Sequence, residues 1–161
     1  MSHFVGDELT EDLLGRLSGR DLESVADKVI LVVTMDDARW PHPAMLSYFE
    51  VVALDQRNIR MATYTKSNTT KNMRNYGKAT LLIIDERVAY YIKGRARELK
   101  AGMDSSPHNS KLNFAVEQVL ADEANEEFEP GAYVAGGITY RNPNRAQELL
   151  KAREVLQELL A

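Results

Sequence analysis

The sequence predicts a mainly β domain of the α+β class, an antiparallel sheet or barrel with helices added around it. Three observations carry this expectation. Short β-branched or apolar runs follow one another closely and are separated by polar turn signals, so neighbouring strands can pair without long crossovers. Strands do not alternate regularly with helices, which argues against a doubly wound nucleotide fold. With 161 residues, 44% of them hydrophobic and 27% charged, the chain suits one domain with a core of its own.

The elements follow in order. Leu9, Leu13, Leu14 and Leu17 recur at helical spacing, Thr10 can cap, and Glu11 and Asp12 occupy a first turn that favours acids. A helix is therefore expected at about residues 8–18. Residues 29–34 are a β-branched run and read as a buried strand, and 35–39 as a turn. Extended character resumes over 42–54, because Pro41 and Pro43 exclude a helix at its start. After a turn at 55–58, residues 59–64 form a short strand. Ser and Thr residues then head a segment that Gly77 ends, giving a short helix between two strands. Residues 79–84 and 88–100 are strands joined by a tight turn at 85–87. Val116, Val119 and Leu120 share one helical face, so 110–125 reads as a helix. Residues 133–140 read as a last strand, broken at Gly136-Gly137. A final helix is expected at about 143–160, with Pro143 at its start and a stripe of Leu149, Leu150, Leu156, Leu159 and Leu160.

Composition narrows the chemistry. A net charge of −4 argues against nucleic acid as a partner. The absence of cysteine removes disulfides, thiolate catalysis and thiolate metal sites. His3, His42 and His108 lie far apart and form no His-x-x-x-His pair, so no metal site is expected. No basic, apolar leader and no apolar run near ~20 residues is present, so neither export nor a membrane partner is expected and the reading is cytoplasmic.

Two segments carry chemistry. In Ala62-Thr-Tyr-Thr-Lys-Ser-Asn-Thr-Thr-Lys-Asn a strand runs into a helix start bearing Ser67, Thr69, Thr70, Lys66 and Lys71. A helix start offers unpaired N–H groups and a partial positive charge, which suits a phosphate. The same hydroxyls also serve as ordinary helix caps. In Trp40-Pro-His-Pro-Ala-Met-Leu-Ser-Tyr two prolines stiffen an extended backbone that can lie along a flat ring, or simply form an edge strand. Asp36-Asp37 reads as turn chemistry, Tyr90-Tyr91 as packing, and Lys93, Arg95 and Arg97 as a solvated strand face.

Taken together, these segments resemble the FMN-binding split barrels of the pyridoxamine 5'-phosphate oxidase-like family, over about residues 27–140. The resemblance rests on Val-Ile-Leu-Val-Val-Thr followed by Trp-Pro-His-Pro-Ala-Met-Leu-Ser-Tyr, on Ile-Arg-Met-Ala-Thr entering Lys-Ser-Asn-Thr-Thr-Lys-Asn-Met, and on Lys78-Ala-Thr-Leu-Leu-Ile-Ile leading to Tyr90-Tyr-Ile-Lys-Gly. It implies a six-stranded antiparallel split barrel and a homodimer with flavin at the subunit interface. It implies phosphate binding by Thr63, Ser67, Asn68 and Thr69, with Lys71 beside them. It lays the isoalloxazine along His42, Pro43, Ala44, Met45, Leu46 and Ser47. The family's usual Ser-Arg-Lys at the helix start is Ser67-Asn68-Thr69 here, so two cations are replaced by neutral donors. The implied activity is a flavin-dependent oxidoreductase, with FMN or a deazaflavin as cofactor. The rival readings are a flavin binder without catalysis and a dimeric interaction module without cofactor. The family's C-terminal Arg-x-His element has no counterpart: the chain holds no histidine after His108, and Arg141 or Arg145 supplies one charge at most. Genuine pyridoxamine 5'-phosphate oxidase activity is therefore not expected.

Overall fold

The computed structural model describes all 161 residues. In chain order it forms β1 (Ser2–Gly6), α1 (Glu11–Arg16), α2 (Leu22–Val25), β2 (Val29–Met35), β3 (Pro41–Ser47), β4 (Val51–Ala53), β5 (Asn58–Tyr64), α3 (Asn68–Tyr76), β6 (Lys78–Asp85), β7 (Val88–Lys100), β8 (Asn109–Asp122) and α4 (Arg145–Leu160). Every strand pair is antiparallel. The order is β3-β2-β6-β7-β8-β5-β4, and β1 also pairs with β8. β3 and β4 stand at opposite ends of that order, yet only Tyr48, Phe49 and Glu50 separate them in the chain. The sheet must therefore curl until its two edges meet, which leaves a barrel split between β3 and β4.

Period-two alternation fills the interior. Ile30 and Val32 of β2, Leu81 and Ile83 of β6, and Leu112 and Phe114 of β8 are fully buried there. Leu13 and Leu17 of α1 join the same cluster, and Thr10 caps α1 by accepting from Leu13 N at 3.2 Å. A second, smaller core forms outside the barrel. There Ala152, Val155, Leu156 and Leu159 of α4 pack on Val52 and Ala62.

The structure corrects several expectations. The sheet has eight strands rather than six. One addition is β1, whose exposed residues carry no alternation signal. The other is β8, which occupies the stretch read as a helix. Opposite β8, Lys93 pairs with Gln118 and Gly94 with Val116, so Glu117 is an extra residue in a β-bulge. Inward residues therefore run Leu112, Phe114, Val116 and then Val119, and this one step of three counterfeits helical spacing. Extended character over 42–54 is interrupted by the turn at Tyr48-Phe49-Glu50. Residues 133–140 form no strand. They cross the barrel end through a single bridge between Lys28 and Thr139, with Arg87 N donating to Val134 O at 2.8 Å. Gly137 lies so close to Ile84 O that a Cβ would stand 2.0 Å from it. In α4 the buried stripe is Ala152, Val155, Leu156 and Leu159, while Leu150 and Leu160 face solvent.

Candidate functional site

The start of α3 is shaped by a chain of hydroxyls. Ser67 Oγ caps the helix by accepting from Thr70 N at 3.2 Å. Thr70 Oγ1 donates to Tyr64 O at 2.8 Å. It therefore receives the hydroxyl protons of Thr63, 2.6 Å away, and Ser67, 3.1 Å away. The hydroxyls of Thr63 and Ser67 are thus spent inside the turn. The first two helical amides, those of Asn68 and Thr69, donate to nothing in the chain, as expected at a helix start. Asn68 and Lys66 are exposed and Thr69 is buried. Lys71 is held by Asp37 on the β2–β3 turn, where Tyr76 Oη also donates at 3.0 Å. The hydrogen bonds from Lys71 and then Tyr76 hold the Asp37 carboxyl below the usual carboxylate range.

α3 packs on the β2–β3 hairpin. Asn72 Nδ2 donates to Thr34 Oγ1 at 3.0 Å in a buried contact, and Thr34 stands opposite His42. β3 pairs only with β2 and is a sheet edge. Pro43 has no N–H, so the ladder to β2 must run through His42, Ala44 and Leu46. The N–H of Met45 is then left on the open edge, and that of Ser47 donates to Glu50 Oε2 at 2.8 Å.

Beside this edge lies a cavity of about 550 Å³ between β3, the 104–109 loop and α4. Met45, Leu46 and Ser47 line it with Tyr64, which leads into α3, and it also takes in Glu50, Asn109 and Arg145. Of the expected site residues the structure brings Met45, Leu46 and Ser47 to this cavity. His42, Pro43 and Ala44 continue the edge strand away from it, and Thr63, Ser67, Asn68, Thr69 and Lys71 sit on the neighbouring turn and helix. Arg145 crosses one side: its Nη2 donates to Asp27 and to Tyr140 O, each at 2.8 Å, and its Nη1 pairs with Glu148. Burial pushes the Glu50 carboxyl up, against two hydrogen bonds from Ser47 that pull it down. Sequence reasoning did not find Glu50 or Asn109. Neither has a local signal, because each becomes notable only when distant segments meet.

Residues 23–130 match the family model described as pyridoxamine 5'-phosphate oxidase. The chain belongs to the pyridoxamine 5'-phosphate oxidase family. The family match spans α2 through β8 and leaves α4, which forms one wall of the cavity, outside it. Solved structures show the same fold. A Lactobacillus delbrueckii protein named for pyridoxamine 5'-phosphate oxidase superposes with a TM-score of 0.59 at 16% identity, covering 74% of this chain and 98% of that one. HupZ of Group A Streptococcus gives 0.54 at 15% identity, covering 69% and 91%. An FMN-binding protein from Syntrophomonas wolfei gives 0.52 at 14% identity, covering 69% and 88%. Along its length the chain is also similar to the uncharacterised protein YclD of Bacillus subtilis, with 24% identity over 151 residues, 94% of this chain and 95% of that one.

Proposed function

We propose that this family member binds FMN between two copies of the chain and works as a flavin-dependent oxidoreductase in the cytoplasm. The observation that carries the reading is the open edge of β3 next to the start of α3, with the amides of Asn68 and Thr69 unpaired. The donor set fits a phosphate: two helix-start amides, the positive end of a nine-residue helix, and the exposed Asn68 and Lys66 side chains. The flat row from His42 to Ser47 fits a planar ring, with Met45 N–H free to meet its edge. Bound there, the flavin would supply redox chemistry, while the chain binds it, orients it and keeps water from one face. A deazaflavin suits the same surfaces.

The row of paired residues Met45, Leu31 and Leu82 supports the dimer. Leu31 stands opposite both others, so all three project to the outer face of the sheet. Met45 is 58% exposed and Leu31 and Leu82 are only half-buried, and a second copy would cover them. One observation favours the cofactor-free alternative. Thr63, Ser67 and Lys71 already have partners within the chain, so fewer groups greet a phosphate than the sequence promised.

Titration with FMN and with riboflavin tests the reading. Saturating FMN is expected to raise the melting temperature by roughly 5–10 °C, from about 2.7 kcal/mol of linkage at a hundredfold excess over Kd. Riboflavin is expected to bind much more weakly. Equal affinity for the two would remove the phosphate from α3, and no binding of either would leave the cofactor-free module. Pyridoxal 5'-phosphate formation from pyridoxamine 5'-phosphate is not expected, since the C-terminal Arg-x-His element is missing and the cavity's Lys28 and Arg145 are already paired with acids of the chain.

A further inference from the structure

The cavity beside β3 contains two hydrogen-bond acceptors that no donor of the chain meets. The first is Glu50. Ser47 N and Ser47 Oγ both donate to its Oε2, at 2.8 and 3.1 Å, while its Oε1 accepts nothing. No lysine or arginine pairs with this carboxyl, and the charge that acts on it is that of another acid, Glu148, which raises it further. The second is Asn109, a residue only 6% exposed, whose buried Oδ1 has no partner.

The topology puts both on one wall. Ala62 N donates to Glu50 O at 2.8 Å, and Asn109 pairs with Tyr64, two residues further along β5. Ala62 and Tyr64 project to the same side of the strand, the outer side that α4 covers. Phe49, Met45 and Tyr64 complete that end with apolar surface. Of the other cations of the cavity, Lys28 is paired with Asp85, and Arg145 with Asp27 and Glu148, leaving only its Nε without a partner. Lys151 is exposed at the rim, where solvent screens it.

A half-buried carboxylate without a counter-charge and a buried amide oxygen without a donor are both costly. Both costs fall if one ligand brings N–H groups and positive charge. We propose that this cavity takes a small cationic nitrogen compound, an amine or amidine on an apolar body, whose N–H groups donate to Glu50 Oε1 and Asn109 Oδ1. As a reactant beside the flavin this compound rests on the reading above, but its binding depends only on residues of this chain. The α4 wall lies outside the family match, so the pocket is a property of this chain and of relatives sharing that helix.

Calorimetric titration with benzamidine and with benzoate, a planar pair of similar size and opposite charge, tests the proposal on flavin-free and FMN-loaded protein. Benzamidine is expected to bind at least about tenfold more tightly than benzoate, and Glu50→Gln to weaken benzamidine by about tenfold or more. Asn109→Leu is expected to weaken benzamidine as well. Thermal melting of each variant checks that it folds, and Glu50→Gln keeps an oxygen for Ser47. Equal binding of the two probes, or an unchanged benzamidine affinity in folded Glu50→Gln, overturns the proposal. Displacement of benzamidine by FMN overturns the side-by-side arrangement. Benzamidine binding without FMN binding refutes the flavin reading alone, and FMN binding without benzamidine binding refutes this one alone.

Discussion

Gly94 shows how much one residue decides. It sits where β7 passes the bulge of β8, and a Cβ there would lie 2.1 Å from Ala115 O and 2.8 Å from the Phe114 ring. Those neighbours are backbone and a fully buried ring, so neither can yield cheaply. Gly94→Ala is expected to cost about 2–4 kcal/mol through overpacking and strand displacement. A urea midpoint unchanged from the parent would contradict the bulge geometry. Residue-level reading from sequence was good where chemistry is local. Ser67 does cap α3 and Gly77, at φ 71°, does end it. It failed to see that the Ser67 and Thr63 hydroxyls would be consumed by Thr70, since that requires the strand end to fold back on the helix.

Among the elements, α4 depends most on one tether. Glu158 accepts from Ser105 N at 2.7 Å, Ser105 Oγ at 2.6 Å and Asp104 N at 3.0 Å. Burial alone would raise its pKa, but these bonds outweigh it and hold the carboxyl at about 2, below the ordinary 4.5. A lowered value in the folded state means the stabilisation is complete above pH 4.5 and is lost as pH falls toward 2. Allowing for solvent screening, it contributes about 1–2 kcal/mol. Glu158→Gln is expected to lower stability at pH 7 and to flatten its fall between pH 4.5 and 2. Chemical denaturation at a series of pH values measures both, and parallel curves for parent and variant would rule the tether out. Since α4 walls the cavity, the same variant is expected to weaken benzamidine binding at pH 7.

For the whole molecule the expectation is a dimer. The outer face of β3, β2 and β6 presents Met45, Leu31 and Leu82 in one row. Closure of the barrel covers the inner face only, so this face needs a partner to leave water. Light scattering at micromolar concentration is expected to give twice the chain mass, and Leu82→Lys to give the monomer with its barrel intact by circular dichroism. A monomeric parent that still binds FMN would remove the partner from the site.

By itself the sequence determined the antiparallel class, the capped helices at Thr10 and Ser67, most strands of the split barrel and its family. These are properties of short range, set by caps, turns, prolines and alternation within a few residues. Only the tertiary structure decided β8, because a bulge shifts its inward row by one residue and mimics a helix. It also decided that residues 133–140 cross the barrel end without pairing as a strand. The cavity, too, belongs to the tertiary structure. Glu50, Asn109 and Arg145 come from three separate segments and meet only because β3 and β4 close the barrel and α4 packs across its outer face. No local pattern encodes which unpaired groups such a closure will bring together.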